Sequence, residues 1–348
     1  MAKKKSTNIF YILTFIIILL AIWLIYKIFK KSSNAGKTDI VITYVDFECV
    51  KWQESYKHHI ETTYDPTVHT VDSATKNRFV NHGELRYLLR AIAQHMPWIH
   101  NIFLVVDDDL VAPAWMNGNV IIVRHKEIFI GDHGNFLPTF NSQAIETVLH
   151  NIKGISDPFI YFNDDVFIGR PIQRTDLIQE SRIALIPTES RSKTGIPAVS
   201  EYGFRCAWKN VNTLLDNHFG PSVRYKLEHA PFVVSPRIMK KLWKVFNKEM
   251  ERTVRSRFRT VTDINVSPAL HPYYALHSGD GFIQKELSAK TAYLSMGNKP
   301  ATLIKLNELE MNLPHFFCLE DGDGQRESDD AIKNFFERIF PEKSRYEF

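Results

Sequence analysis

The chain has 348 residues, 44% hydrophobic and 24% charged, which are the proportions of a globular protein and exclude extended disorder as its main state. Its formal net charge is +4, yet Lys3, Lys4, Lys5, Lys27, Lys30, Lys31 and Lys37 stand in the first 37 residues with no acid among them. Setting these seven aside leaves 36 basic residues against 39 acidic, a net charge of −3, so the basicity belongs to the tail and a nucleic-acid footprint is not supported.

The tail reads as a membrane segment. Residues 1–8 form a basic flank, and Ser6 to Tyr26 carries no charge. A helix of about 20 apolar residues crosses a hydrocarbon core of roughly 30 Å, so 9–26 is expected to be a transmembrane anchor. A cleaved signal peptide is the weaker reading, because Lys27-Ile28-Phe29-Lys30-Lys31 holds no small-residue cleavage pattern. The expectation is a single-pass membrane protein with a linker over 27–38. Lysines at both ends leave the orientation open: type II facing a secretory lumen if the chain is eukaryotic or viral, the cytoplasmic face if it is bacterial.

A globular domain is expected over 39–348. Ile40–Val45 is a β-branched run and reads as a first strand, ending at Asp46, an acid placed to hold a nucleotide's ribose or base. The polar stretch 53–77 reads as an acceptor-side loop or short helix. Asn81 and Glu84 form a capping-box pattern, with Val80 and Leu85 as the hydrophobic staple. The helix they open buries Leu85, Leu88, Leu89 and Ile92 and stops before Pro97. Strands follow at Ile102–Val106, ending in Asp107-Asp108-Asp109, and at Val120–Val123.

Residues 137–171 are the most informative. Ile145, Val148, Leu149 and Ile152 recur at helical spacing, with Asn141 and Ser142 at the start of that helix, where backbone N–H groups can receive an anion or a sugar oxygen. After Pro158, the apolar strand Phe159–Phe162 delivers Asn163, Asp164 and Asp165 to its carboxyl end, where open α/β sheets bind ligands. Adjacent carboxylates repel unless a cation or a proton settles them. A hard divalent ion, Mg²⁺ or Mn²⁺, held by one or two carboxylates and substrate phosphates is the usual solution, and a solvated turn is the plainer one. Strand and helix alternate at βαβ spacing, so the expected fold is α/β, a mostly parallel nucleotide-sugar-binding sheet flanked by helices and preceded by one transmembrane helix. Cys49, Cys206 and Cys318 form no CxxC or Cys/His cluster.

The succession of blocks resembles the Stealth family of sugar-phosphate transferases, which includes bacterial capsule-polymer phosphotransferases. The resemblance runs through DIVITYVD at Asp39–Asp46, then RFVNHGELRYLLRAI, MPWIHNIFLVVDD, LPTFNSQAIET and FIYFNDDVFIGRP within 78–171. It continues in KLEHAPFVVSPRIMKKLW, RSRFRTVTDI and HPYYAL, and ends in FFCLED and FFERIFPEKSRYEF. It implies a UDP-sugar donor, a divalent metal (Mg²⁺ or Mn²⁺), and transfer of a sugar-1-phosphate, an N-acetylhexosamine-1-phosphate, to a glycan or polysaccharide hydroxyl with release of UMP. On the family's pattern Asp164, Asp165 and Asp321 are metal or donor contacts, Glu146 meets a sugar hydroxyl or the acceptor, and Arg259 is a phosphate ligand. Asp46, Asn141, Ser142 and Asn163 fall on the donor side. His229 is the implied general base, and an ordinary histidine pKa near 6.5 suits that work.

Departures are also visible. Tyr44-Val45-Asp46-Phe47 stands where the family often has Trp-Val-Asp-Gly, Phe232 replaces a second histidine, and Glu320-Asp321 replaces Asn-Asp. These put the donor sugar's identity in question more than activity. Two other readings stay open: a metal-dependent glycosyltransferase releasing UDP, with Asp107-x-Asp109 as its acid pair, and a non-catalytic, membrane-anchored carbohydrate-binding protein.

Overall fold

Apolar runs that are buried on both faces build one sheet, and the order of its strands fixes where a ligand can sit. The computed structural model describes residues 36–75, 82–321 and 329–348. Its elements in chain order include β1 (Ile40–Thr43), α1 (Val50–Thr63), α2 (Glu84–His95), β2 (Ile102–Val106) and β3 (Val120–Arg124). These are followed by α3 (Ser142–Val148), β4 (Phe159–Asn163), β5 (Val166–Ile168), α4 (Gly203–Phe219) and β6 (Phe232–Val234). Of the remainder, β7 (Thr291–Met296), β8 (Phe316–Asp321) and α5 (Asp329–Ile339) matter most for the site.

The main sheet runs β6-β4-β1-β2-β3. Strands β4, β1, β2 and β3 are parallel and β6 lies antiparallel beside β4, so the mixed α/β sheet is mostly parallel. Ile40, Val41 and Ile42 of β1 and all of β2 are buried, as parallel strands covered on both faces must be. The chain runs outward from β1 through β2 and β3, then returns to β4 on the other side of β1. That reversal is a topological switch point, and its crevice opens where Thr43 and Asn163 sit side by side in register.

A second, three-stranded sheet, β7-β8-β5, grows directly from the first. Asp164 and Asp165 are the only link between β4 and β5, so the carboxylate pair lies where the chain leaves one sheet and enters the other. β8 runs antiparallel to β5, with Cys318 opposite Val166, and brings the late part of the chain against the pair.

Several expectations change. The polar stretch after β1 begins within the 14-residue helix α1, one of the two forms expected of it, and Trp52 and Tyr56 of that helix pack with Phe140 and Phe258 in a separate aromatic cluster. Glu84 is the first residue of α2 and not its third. Gly83 precedes it in the left-handed region (φ +81°), which a side chain disfavours, and the Glu84 carboxylate accepts from His82 N at 2.6 Å. Asn81 and Val80, the other halves of the expected cap and staple, lie outside the described residues. Localisation as a single-pass membrane protein is corrected: among the described residues no helix is long and apolar enough to cross a membrane. The stretch 9–26 read as the anchor lies outside them.

Candidate functional site

The strand-to-strand turn after β4 holds Asp164 and Asp165 in a largely buried position. Burial pushes the Asp164 carboxyl up to about 7, and the neighbouring Asp165 adds repulsion. Burial also raises Asp165, while His229 and the Cys318 thiol pull it the other way. Cys318 Sγ lies 3.4 Å from Asp165 Oδ2, and Leu319 N donates to the Asp165 carbonyl at 3.1 Å. Asp165 Oδ1 is buried with no hydrogen-bond partner among the described residues. An orphaned carboxylate oxygen beside a second strained carboxyl fits a hard cation. No group of three His, Cys, Asp or Glu side chains among the described residues is arranged to hold a metal ion, so such an ion would need substrate oxygens as well.

His229 sits in the exposed turn before β6, its ring 4.6 Å from that of Tyr293 on β7. The Tyr293 hydroxyl hydrogen-bonds the Glu320 carboxylate, and burial followed by that carboxylate drives its pKa upward. The second sheet thus presents Tyr293 and Glu320, and the turn before β6 presents His229, around Asp165.

On the other side of β4 stands a second group, tied together by buried polar contacts. Asn141 caps α3 by accepting from Gln143 N at 3.1 Å. Its amide nitrogen is also engaged, with Asp263 Oδ2 at 2.8 Å and with the carbonyls of Ser256 and Phe258. Asn141 therefore organises the loop that carries Arg259. Arg259 donates to Asp72 Oδ2 at 3.1 Å and to Ser142 Oγ at 3.0 Å, and its Nε is buried without a partner among the described residues. Asp72 also takes Gly203 N at 2.7 Å, and a Cβ at Gly203 would come within 2.8 Å of Arg259 Cδ, so the guanidinium is wedged in place. Glu146, one turn into α3, accepts from Ser267 N at 3.0 Å. Burial pushes its carboxyl up to about 7, partly offset by that hydrogen bond and by Arg259.

Tyr161 links the two groups. Its hydroxyl donates to Asn163 Oδ1 at 2.8 Å and shares a hydrogen bond with Thr43 Oγ1 at 3.0 Å. Burial raises its pKa, and the charges of Glu146 and Asp164 both add to the effect. The arrangement gathers Asn163, Asp164, Asp165 and His229 on one flank and Asn141, Ser142, Glu146 and Arg259 on the other. Asp46 stands apart in the turn after β1, its Oδ1 accepting Glu48 N at 3.1 Å. Asp321 ends β8, paired in register with Met296, and its side chain lies outside the described structure. The triplet Asp107–Asp109 closes its own exposed turn: Asp107 Oδ1 accepts Asp109 N at 3.0 Å, and Asp108 Oδ1 accepts Lys126 N at 3.2 Å.

Sequence reading missed Asp72, Asp263, Cys318 and Tyr293, which touch the expected residues only through the fold. It assigned Glu84 to a helix cap alone. Burial raises Glu84 to about 8, and both Asp164 and Asp165 contribute, so it is a third acid at the same place. The signal available was its position at a helix start beside the first strand's end.

The protein-family models of Stealth conserved region 2 and conserved region 3 match residues 78–186 and 228–276. An exopolysaccharide phosphotransferase of Streptomyces coelicolor is 34% identical over 325 residues, covering 89% of this chain and 51% of its own length. A capsular polysaccharide phosphotransferase of Haemophilus influenzae is 31% identical over 290 residues, covering 81% of this chain and 78% of its own. One from Neisseria meningitidis is 29% identical over 300 residues, with 82% and 77% covered. The chain spans about half the length of the Streptomyces relatives it matches. Among solved structures, a galactosyltransferase bound to donor and acceptor sugar analogs is similar at a TM-score of 0.41 and 9% identity, covering 86% of this chain and 96% of its own, a likeness too slight to carry an argument.

Proposed function

The chain belongs to the Stealth family, and from that premise we propose that it transfers a sugar-1-phosphate from a UDP-sugar to a hydroxyl of a polysaccharide or other glycan, releasing UMP. An N-acetylhexosamine-1-phosphate is the group proposed. The observation that carries the reading is the Asp164–Asp165 pair at the switch point, with a buried Asp165 oxygen lacking a partner among the described residues. The names of the relatives, capsular and exopolysaccharide phosphotransferases, support phosphoryl transfer and a polysaccharide acceptor.

Asp164 and Asp165 would hold Mg²⁺ or Mn²⁺, with Asp321 as a further ligand on the family's pattern. Such an ion supplies charge neutralisation at the donor's diphosphate. The acceptor oxygen bonds to the phosphorus next to the sugar while the bond from that phosphorus to the UMP oxygen breaks, and His229 takes the hydroxyl proton. Arg259, with its unpartnered Nε, neutralises charge developing on the phosphoryl oxygens. Glu146 binds a sugar hydroxyl, of donor or acceptor, and its raised pKa lets it donate as well as accept near neutral pH. Ser142, Asn163 and Asp46 lie on the donor side, and Asn141 holds the Arg259 loop.

The test is product analysis. Protein supplied with a UDP-sugar and Mg²⁺ or Mn²⁺ should release UMP and form a phosphodiester on the acceptor. A chelator should stop it, and Asp165→Asn should be nearly inactive, with partial rescue by excess metal as a mass-action defect. Release of UDP would replace this reading with that of a glycosyltransferase.

A further inference from the structure

Beside the carboxyl end of β1 lies a cleft of about 240 Å³ lined by Tyr44, His82, Arg86, Trp115 and Lys333, among others. It is smaller than the roughly 300 Å³ at which pockets begin to take drug-sized molecules, so it suits one ring system. Its floor is built. The His82 side chain is 5% exposed, and its Nδ1 lies 2.7 Å from Asp329 Oδ1 at the start of α5. Its Nε2 is buried with no hydrogen-bond partner among the described residues, whereas Arg86 Nε lies 3.6 Å from Glu347 Oε2. A buried polar atom left unsatisfied, as Nε2 is, calls for a ligand or water. With Nδ1–H donating to the Asp329 carboxylate, Nε2 is the ring nitrogen left to accept.

The walls add two features. The Arg86 guanidinium lies 4.8 Å from the centroid of the Trp115 ring, which it covers, and Lys333 lines the cleft from α5. An aromatic wall, the Lys333 ammonium and an imidazole nitrogen without a hydrogen-bond partner among the described residues suit a flat heterocycle that carries an N–H and is tethered to anions. Glu84, next to Gly83 on the rim, is close enough to Asp164 and Asp165 to feel their charge, so the cleft adjoins the carboxylate pair.

We propose that this cleft holds the donor's base, with His82 Nε2 accepting the N3–H of uracil and Asp329 fixing the tautomer that makes this possible. The inference rests on the UDP-sugar reading above and adds to it the group that selects uridine. Cytosine presents a bare N3 at the same edge, so the two lone pairs would face each other, and cytidine is rejected.

Titration calorimetry of the full chain with UMP, CMP and ribose 5-phosphate, without metal or acceptor, tests this. Wild-type protein should prefer UMP to CMP. His82→Ala should weaken UMP by roughly tenfold, the scale of one hydrogen bond, and leave ribose 5-phosphate unchanged. Asp329→Asn replaces a group that only accepts from Nδ1–H by one that can also donate to Nδ1, so it admits the other tautomer and should lower the UMP-to-CMP ratio. That change of ratio cannot come from lost folding, so it decides the matter even if His82→Ala is unstable. Unchanged UMP affinity and an unchanged UMP-to-CMP ratio in both variants would overturn the cleft assignment while UDP-sugar turnover kept the transferase reading intact. A wild-type protein that binds neither UMP nor any UDP-sugar, with Mg²⁺ or Mn²⁺ supplied as well as without, would remove both.

Discussion

At the scale of the residue, the site is a set of ionisable groups whose surroundings set their protonation. His229, the proposed base, is the exposed member, with its ring 4.6 Å from that of Tyr293. His229→Ala should lower kcat by roughly 10²–10⁴ with donor affinity little changed, the span usual for general acid–base catalysis. Lost donor binding with normal residual turnover would make it a binding residue instead. Glu146 is the buried member. Its folded pKa of about 7 lies above its ordinary 4.5, so the folded state holds a proton that the unfolded chain has released. Its contribution to stability is therefore full below about 4.5 and is lost as pH rises through 7. Glu146→Gln should gain stability relative to wild type between pH 5 and pH 8, by up to a few kcal/mol, in urea unfolding. A difference that is flat across that interval would show that the carboxyl is not strained by burial.

At the scale of the element, α3 shows how one side chain can both end a helix and brace a loop. Asp and Asn cap helices about equally well, so Asn141→Asp would be harmless if capping were the whole role. Asn141 Nδ2 donates to Asp263 Oδ2, and an aspartate there would set two buried carboxylates against each other. Urea unfolding should show Asn141→Asp less stable than wild type by about 2 kcal/mol or more, with loss of the Arg259 site. Wild-type stability would reduce Asn141 to a simple cap. The elements themselves were legible because apolar runs and helical spacing are local: Ile40–Thr43 of the expected Ile40–Val45, Leu85 to Ile92, Ile102–Val106 and Phe159–Phe162 lie in the expected strand or helix. The α2 start was misread because the capping-box pattern matched while Gly83, in its left-handed conformation, took the position. Half of the candidate site was legible for the same local reason, since Asp164, Asp165 and Asn163 follow a recognisable strand. The other half was not, because Cys318 reaches Asp165 across 153 positions and Asp329 reaches His82 across 247. No local pattern records such a pairing.

At the scale of the whole molecule, residues 345–347 are fastened to α2 and to the loop after β2. Arg90 on α2 grips the Glu347 carboxylate with two hydrogen bonds of 2.9 Å, and both side chains are mostly buried, 11% and 3% exposed. Asn117 and Asn119, after β2, hold the carbonyls of Arg345 and Glu347. Glu347→Ala leaves a buried guanidinium with one carboxylate fewer, and breaking such a pair costs about 3–5 kcal/mol, measurable in urea. A loss under about 1 kcal/mol, the worth of a surface pair, would mean the terminus is only loosely seated.

The seam between the two sheets has a temporal meaning as well. A nascent chain emerges with both aspartates of the turn and His229 already made, while β8 and α5 are still unsynthesised. Until they arrive, the Asp165 carboxylate has no thiol against it and the imidazole of His82 has no carboxylate to hold its tautomer. The last strand and helix act as a keystone: the surroundings of Asp165 and of His82 are complete only once both have folded into place.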